Sequence, residues 1–240
     1  MLSMKFSEYL APFEGDLRNE CLRRLGSNLS DFSGMKEDVL RSFDLYRRGR
    51  LRTVQEFYRL AVSKGIIDLT VRANPIAPWL AENICEEIEG RCVIDVGCCD
   101  GTFTVFYAIN HPRTNFVGID LSEDALVAAK RRAEDHSVTN TSWVCADAMT
   151  LDAPFTRADT VIAQHSLYQM LPWDGHESLF LERLAPFVRQ DSKIVIAGNR
   201  RRLNERKYNG YELCNYRTEK TFDPNIEREL SYEIVVFRRV

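Results

Sequence analysis

Cys92-Val93-Ile94-Asp95-Val96-Gly97-Cys98-Cys99-Asp100-Gly101, continuing into Thr102-Phe103-Thr104-Val105-Phe106, is the stretch that decides the fold. The apolar run from Cys92 to Val96 reads as a buried strand, and Thr102 to Ile109 as a helix. Between them, glycine at 97 and 101 lets the chain turn sharply and approach a ligand with no β-carbon in the way. The helix start beyond the bend offers unpaired N–H groups to an anionic end such as a carboxylate. A dinucleotide-binding loop would need Gly-x-Gly-x-x-Gly, which is absent. Asp95, two residues before the first glycine, suits a cationic ammonium and not a diphosphate.

Moving outward, short β-branched runs alternate with helices. Asn115 to Asp120 is a second strand, followed by a helix from Ser122 to about Asp135. Ser122 can cap that helix, with Glu123 and Asp124 at the positive end of its dipole. Ser142 to Cys145, Thr160 to Ala163 and Lys193 to Ala197 give three further strands. Asp174-Gly175-His176-Glu177 reads as a capping box opening a helix that Pro186 disturbs. Tyr208 to Thr218 and Ser231 to Arg238 read as a closing antiparallel pair, turning around Asp223-Pro224-Asn225. The alternation predicts an α/β fold, a seven-stranded, mostly parallel sheet whose strand C-terminal ends share one edge. Before residue 90 the periodicity is helical, over Met35 to Arg48, Leu51 to Ser63 and a segment entered at Pro75 and Pro78 and stopped by Gly90. Residues 1–89 are therefore expected to form an N-terminal helical cap, and 90–240 the sheet domain.

Asp120 ends the second strand, where a carboxylate can accept from both hydroxyls of a ribose. Asp147 follows the third strand and can accept from an exocyclic adenine amine, while Ala148 offers its backbone N–H to the ring. In this order and spacing the chain resembles the class I S-adenosylmethionine-dependent methyltransferases, over roughly residues 90 to 199. Val93 to Gly101 looks like the family's first motif, Val117-Gly118-Ile119-Asp120-Leu121-Ser122 like its second, and Ala146-Asp147-Ala148 like its adenine motif. Ala158 to His165 is similar to its fourth strand, and Phe187 to Ala197 to its last helix and fifth strand. The resemblance implies a Rossmann-like sheet and S-adenosylmethionine as cofactor. Asp95, Gly97, Cys98, Gly101, Asp120, Leu121, Asp147, Ala148 and Gln164 would contact it. Cys99 is a departure, since the family often has glycine there.

The sulfonium of that cofactor supplies the driving force, so the protein mainly aligns the acceptor and excludes water. A base is needed only where a proton must leave the acceptor. His165, with Tyr168 near, is the catalytic candidate; packing alone is the competing reading. In similar enzymes, helices before the first strand cover the acceptor, so Phe57, Tyr58 and Trp79 are candidates to line its pocket or to form core. Arg72 is a candidate partner for the cofactor carboxylate, and Asn199-Arg200-Arg201-Arg202 with Arg206 and Lys207 could steer an anionic acceptor.

Net charge is −3, with 45% hydrophobic and 28% charged residues. That balance disfavours nucleic acid as a partner and suggests a small-molecule acceptor, taken at O, N, S or C. The start lacks a secretion signal's pattern and no apolar run reaches membrane-spanning length, so a cytoplasmic protein without membrane contact is expected. Seven cysteines without Cys-x-x-Cys pairing indicate reduced thiols and no metal site. The helical addition leaves room for a homodimer. Alternatives are methylation of RNA or protein, a cofactor-binding regulator without turnover, and, last, a nicotinamide oxidoreductase.

Overall fold

Alternating side chains of one buried strand must satisfy two cores at once, and β1 (Cys92–Val96) shows how. Val93 packs into the core on one face of the sheet, while Ile94 and Val96 pack into the core on the other. The computed structural model describes residues 2–25, 62–148, 150–151, 157–165, 177–199, 207–208, 210–223 and 228–240. The helices expected over 35–48 and 51–61, and the capping sequence 174–176, lie outside these residues.

The strands that follow are β2 (Asn115–Asp120), β3 (Thr141–Cys145), β4 (Ala158–Gln164), β5 (Val188–Asn199), β6 (Lys207–Tyr208), β7 (Tyr211–Asp223) and β8 (Arg228–Arg239). They form one sheet in the order β3-β2-β1-β4-β5-β8-β7-β6. The first five are mutually parallel, and β8, β7 and β6 run antiparallel to their neighbours. The seven expected strands are thus present, with an eighth of two residues. That eighth strand pairs Lys207 with Glu212 and Tyr208 with Tyr211, turning at Gly210 with φ +78°.

Among the described residues the helices are α1 (Phe6–Tyr9), α2 (Leu17–Leu25), α3 (Ile66–Ala73), α4 (Ala77–Glu87), α5 (Thr102–Asn110), α6 (Glu123–Asp135) and α7 (Glu177–Leu184). Pro78 sits in the first turn of α4, where its missing N–H costs nothing. The Ser122 hydroxyl accepts from the Ala125 N–H at 3.2 Å and opens α6 as its sequence indicated. Pro186 ends the α7 segment in one 3₁₀ turn, Ala185–Phe187.

Phe6, Tyr9 and Leu10, with Leu80 and Ile84 of α4, share one core with Phe106 and Tyr107 of α5 and with Ile162, Val195 and Ile234 of the sheet. Phe6 stacks on Phe103 at 5.3 Å and meets Phe106 edge-on at 5.1 Å. The described N-terminal helices therefore cover one face of the sheet. Trp79 is half-buried against that core.

Charge locks α4 to the far side of the sheet. Buried Glu87 faces Lys193 of β5 at 3.2 Å and Arg217 of β7 at 2.9 Å, and Asn215 donates to it as well. Lys193 also meets Glu89 at 2.7 Å, and Arg217 meets Glu86 at 2.8 Å. Removing the acid leaves two cations short of a partner away from water. Glu87→Ala is expected to lose about 3 kcal/mol in a urea unfolding series; a loss near zero would mean that solvent already screens the cluster.

Candidate active site at the strand tips

The bend after β1 hangs from the tip of β2. Gly97 and Cys98 both donate their N–H groups to the Ile119 carbonyl, at 2.8 and 3.1 Å. One Asp120 oxygen accepts from the Cys99 N–H at 2.9 Å, and the other accepts from the Ser122 N–H at 2.9 Å. Asp120 thus fixes the bend and the entry to α6 together. The Leu121 N–H also bears on this carboxylate, and the lone pairs these backbone donors leave over can serve an outside donor. Burial pushes this carboxyl above its ordinary range, against the pull of its backbone donors.

Three residues of the bend adopt left-handed backbone: Gly97 at φ +74°, Cys99 at φ +50° and Gly101 at φ +71°. Cys99 is the one that carries a side chain there, which explains why glycine is common at that place. Tertiary packing decides Gly101 further. A Cβ on it would lie 2.7 Å from the Ala129 Cβ and 2.8 Å from the Trp143 ring. The same ring would sit 2.5 Å from a Cβ on Gly118, with the Cys98 sulfur at 2.8 Å. Trp143 is therefore wedged between the bend and β2, a role the sequence alone did not reveal.

The acids of the bend do different work. Asp95, at the end of β1, takes the Thr104 hydroxyl, and burial pushes its carboxyl up to about 6. Asp100 turns away: it caps Thr102 and is held by Arg132 of α6 at 2.8 Å, with the Arg132 Nε–H on its carbonyl at 3.2 Å. Arg132 reaches Asp68 of α3 at 3.2 Å. Arg72 is also on Asp68, at 2.7 Å, and donates to the Ala11 carbonyl. The expectation that Arg72 meets a ligand carboxylate is corrected accordingly: its guanidinium is spent inside the helical region.

Burial pushes the thiols of Cys98 and Cys99 well above their usual range, with the nearby acids adding to it. Both thiols therefore stay protonated at neutral pH. Cys145 and Cys214 are exposed.

At the β3 tip, Asp147 is half-buried and Ala148 buried, and the Asp147 carbonyl receives the N–H groups of Thr150 and Leu151. Leu121 is half-buried between Asp120 and the α6 cap. At the β4 tip, Gln164 is buried and its Oε1 accepts from the Tyr107 hydroxyl at 2.7 Å. His165 follows with φ +57°, its N–H on the Ala197 carbonyl at 2.8 Å and its ring edge-on to Tyr232 at 6.1 Å. Burial pushes its imidazole down to about 4, so the ring is neutral at pH 7. Tyr168 lies outside the described residues, as do residues 200–206 of the basic run. Tyr107 was missed from sequence because a tyrosine on an apolar helix face looks like core.

With this geometry in hand, residues 93–189 match the family model described as a methyltransferase domain. Over these residues the chain is similar to methyltransferase domains. An S-adenosylmethionine-dependent methyltransferase from Thiobacillus denitrificans, solved with S-adenosyl-L-homocysteine, shares its fold at a TM-score of 0.53 and 16% identity. The likeness covers 70% of this chain and 94% of that one. A protein of Rubrobacter xylanophilus named tRNA (guanine-N(7)-)-methyltransferase is 33% identical over 113 residues, 45% of this chain and 48% of its own length. One of Halalkalibacterium halodurans with the same name is 38% identical over 58 residues, 24% of this chain and 26% of its own. The chain spans about half the length, or less, of these curated relatives. Their names correct the expected partner set of a small-molecule acceptor with nucleic acid disfavoured. A net charge averaged over the chain is blind to a local groove.

No helix among the described residues is long and apolar enough to cross a membrane. The strain in the bend is testable at two positions. Gly101→Ala is expected to cost about 1–3 kcal/mol, because Ala129 and Trp143 must move. Cys99→Gly should hold stability or raise it by up to about 1 kcal/mol. Guanidinium melts of both variants check this, and the opposite order would show that the bend relaxes freely.

Proposed function

We propose that this chain is an S-adenosylmethionine-dependent methyltransferase whose acceptor is a nucleic acid. One observation carries the cofactor reading. Three adjacent strand tips present, in sheet order, a left-handed peptide bend, the Asp120 carboxylate and the Asp147-Ala148 turn. The residues present fit such a group: the bend leaves backbone room, Asp120 retains accepting capacity, and Asp95 is a buried acid that takes the Thr104 hydroxyl. When bound, the cofactor supplies a methyl on a positively charged sulfur, which leaves by in-line displacement.

The chain's own residues then have separate tasks. Asp95 faces the ammonium of the amino-acid end, and Gly97, Cys98 and Gly101 let the backbone approach. Asp120 accepts from the two ribose hydroxyls, with Leu121 alongside, and Asp147 and Ala148 read the adenine edge. Gln164 stands where β4 ends, on the cofactor, and His165 follows on the side given to the acceptor, with Tyr168 three residues on. A neutral imidazole is poised to orient an acceptor or take a proton from it. A purine ring nitrogen such as N7 presents a lone pair and no proton. On such an acceptor His165 positions the base.

The tRNA reading comes from the names of the curated relatives, and the methyl-transfer assay tests it directly. Transfer of labelled methyl from S-adenosylmethionine to unfractionated tRNA is expected, falling steeply with added salt as phosphate contacts are screened. Binding of S-adenosylhomocysteine without any transfer to tRNA would remove the acceptor and leave the cofactor reading standing.

Two variants separate the tasks. Asp120→Asn should weaken S-adenosylhomocysteine at least tenfold by calorimetry. His165→Ala should keep that affinity within twofold while lowering transfer at least tenfold. Equal losses of affinity and turnover in His165→Ala would take it off the acceptor side. The acids also set a pH dependence. Asp95 is charged above about 6, so affinity for a ligand bearing an ammonium should fall as pH drops through 6. His165, charged only below about 4, should add no step between pH 5.5 and 7.5. A rate profile with an inflection near 6.5 that His165→Ala abolishes would contradict this.

A further inference from the structure

Arg132 holds one peptide of the bend from outside the ligand site. Its Nε–H donates to the Asp100 carbonyl at 3.2 Å, and its Nη2 donates to one Asp100 carboxylate oxygen at 2.8 Å. The other carboxylate oxygen caps α5, taking the Thr102 N–H at 3.2 Å and the Thr102 hydroxyl at 2.7 Å. The Gly101 N–H donates back to the Cys98 carbonyl at 3.0 Å. The peptide between Asp100 and Gly101 is therefore fixed at both ends, with its carbonyl turned toward α6. Cys99 before it and Gly101 after it are left-handed, and Cys99 carries a β-carbon there. Such a conformation persists only where neighbouring groups over-determine it. A guanidinium can do this because its planar fork serves a carbonyl and a carboxylate together, which a point-like ammonium does not. The Arg132 and Asp100 side chains are 17% and 7% exposed, so solvent screens their contact little.

The same guanidinium leads outward. Its Nη2 reaches one oxygen of Asp68 in α3 at 3.2 Å. Arg72 holds the other Asp68 oxygen at 2.7 Å and the Ala11 carbonyl at 3.2 Å. Two acids and two cations thus form one neutral chain, running from the segment before α2 through α3 and α6 to the bend. We propose that Arg132 is a positioning residue for the bend, and that through Asp68 it links the docking of the N-terminal helices to cofactor affinity. The inference rests on the cofactor reading above, in which neither Arg132 nor Asp68 touches the cofactor.

Calorimetry with S-adenosylhomocysteine on wild type, Arg132→Leu, Asp68→Asn, Cys99→Gly and the double variant C99G/R132L tests this. Arg132→Leu should weaken binding about tenfold, and Asp68→Asn about threefold. Glycine at 99 takes the left-handed backbone without help, so C99G/R132L should bind within about twofold of Cys99→Gly alone. A merely structural Arg132 would show the full loss in the double variant as well, and that result overturns the proposal. So does an Arg132→Leu that melts lower yet binds as wild type does. Amide exchange on the wild type needs no variant to fold. Coupling is reciprocal, so saturating S-adenosylhomocysteine should slow exchange over Ile66–Ala73 as well as over β1. Slowing at β1 with none at α3, together with wild-type affinity in Asp68→Asn, overturns the link through Asp68. A wild-type protein that binds no S-adenosylhomocysteine brings down the cofactor reading and this proposal with it.

Discussion

The Asp120 carboxylate, caught between the N–H groups of Cys99 and Ser122, is the contact on which the candidate site depends. It joins the end of β2 to the bend after β1 and to the first turn of α6. With the two N–H groups on the Ile119 carbonyl, it forces the bend close to the neighbouring strand. The left-handed turns at Gly97, Cys99 and Gly101 follow from that closeness, and Trp143 fills the space beneath. One side chain thereby sets a backbone shape and keeps accepting capacity for a ligand.

Burial sorts the other acids around this contact. Asp100 is neutralised by Arg132 and belongs to the framework, linking the bend through Asp68 to α3. Asp95 receives the Thr104 hydroxyl, and burial holds its carboxyl at about 6. An acid in that state gains from a cation arriving. The thiols of Cys98 and Cys99, though central in sequence, are held protonated and contribute packing.

The tip of β4 is governed by different physics. His165 sits past β4 in a strained backbone conformation, with its imidazole neutral. Backbone held this way persists only where surrounding structure enforces it, here through its N–H on the Ala197 carbonyl. Overall charge is a poor guide to a partner, since electrostatic steering responds to the local arrangement of charges.

Sequence by itself determined the alternation of strands and helices, the order of the glycine bend, Asp120 and Asp147, and the capping of α6 by Ser122. Each is a local property, set by side-chain periodicity, by backbone freedom at glycine, or by a hydroxyl three residues from the N–H it accepts. The closing hairpin was legible for the same reason, although its strands run longer than their apolar cores and carry a two-residue eighth strand. Only tertiary structure decided what depends on chain segments far apart. It set Trp143 under two glycines, Arg132 on Asp100, and Tyr107 on Gln164. Partners separated by 25 to 57 residues leave no periodicity to read, because they meet only after the sheet has brought α5, α6 and the strand tips together.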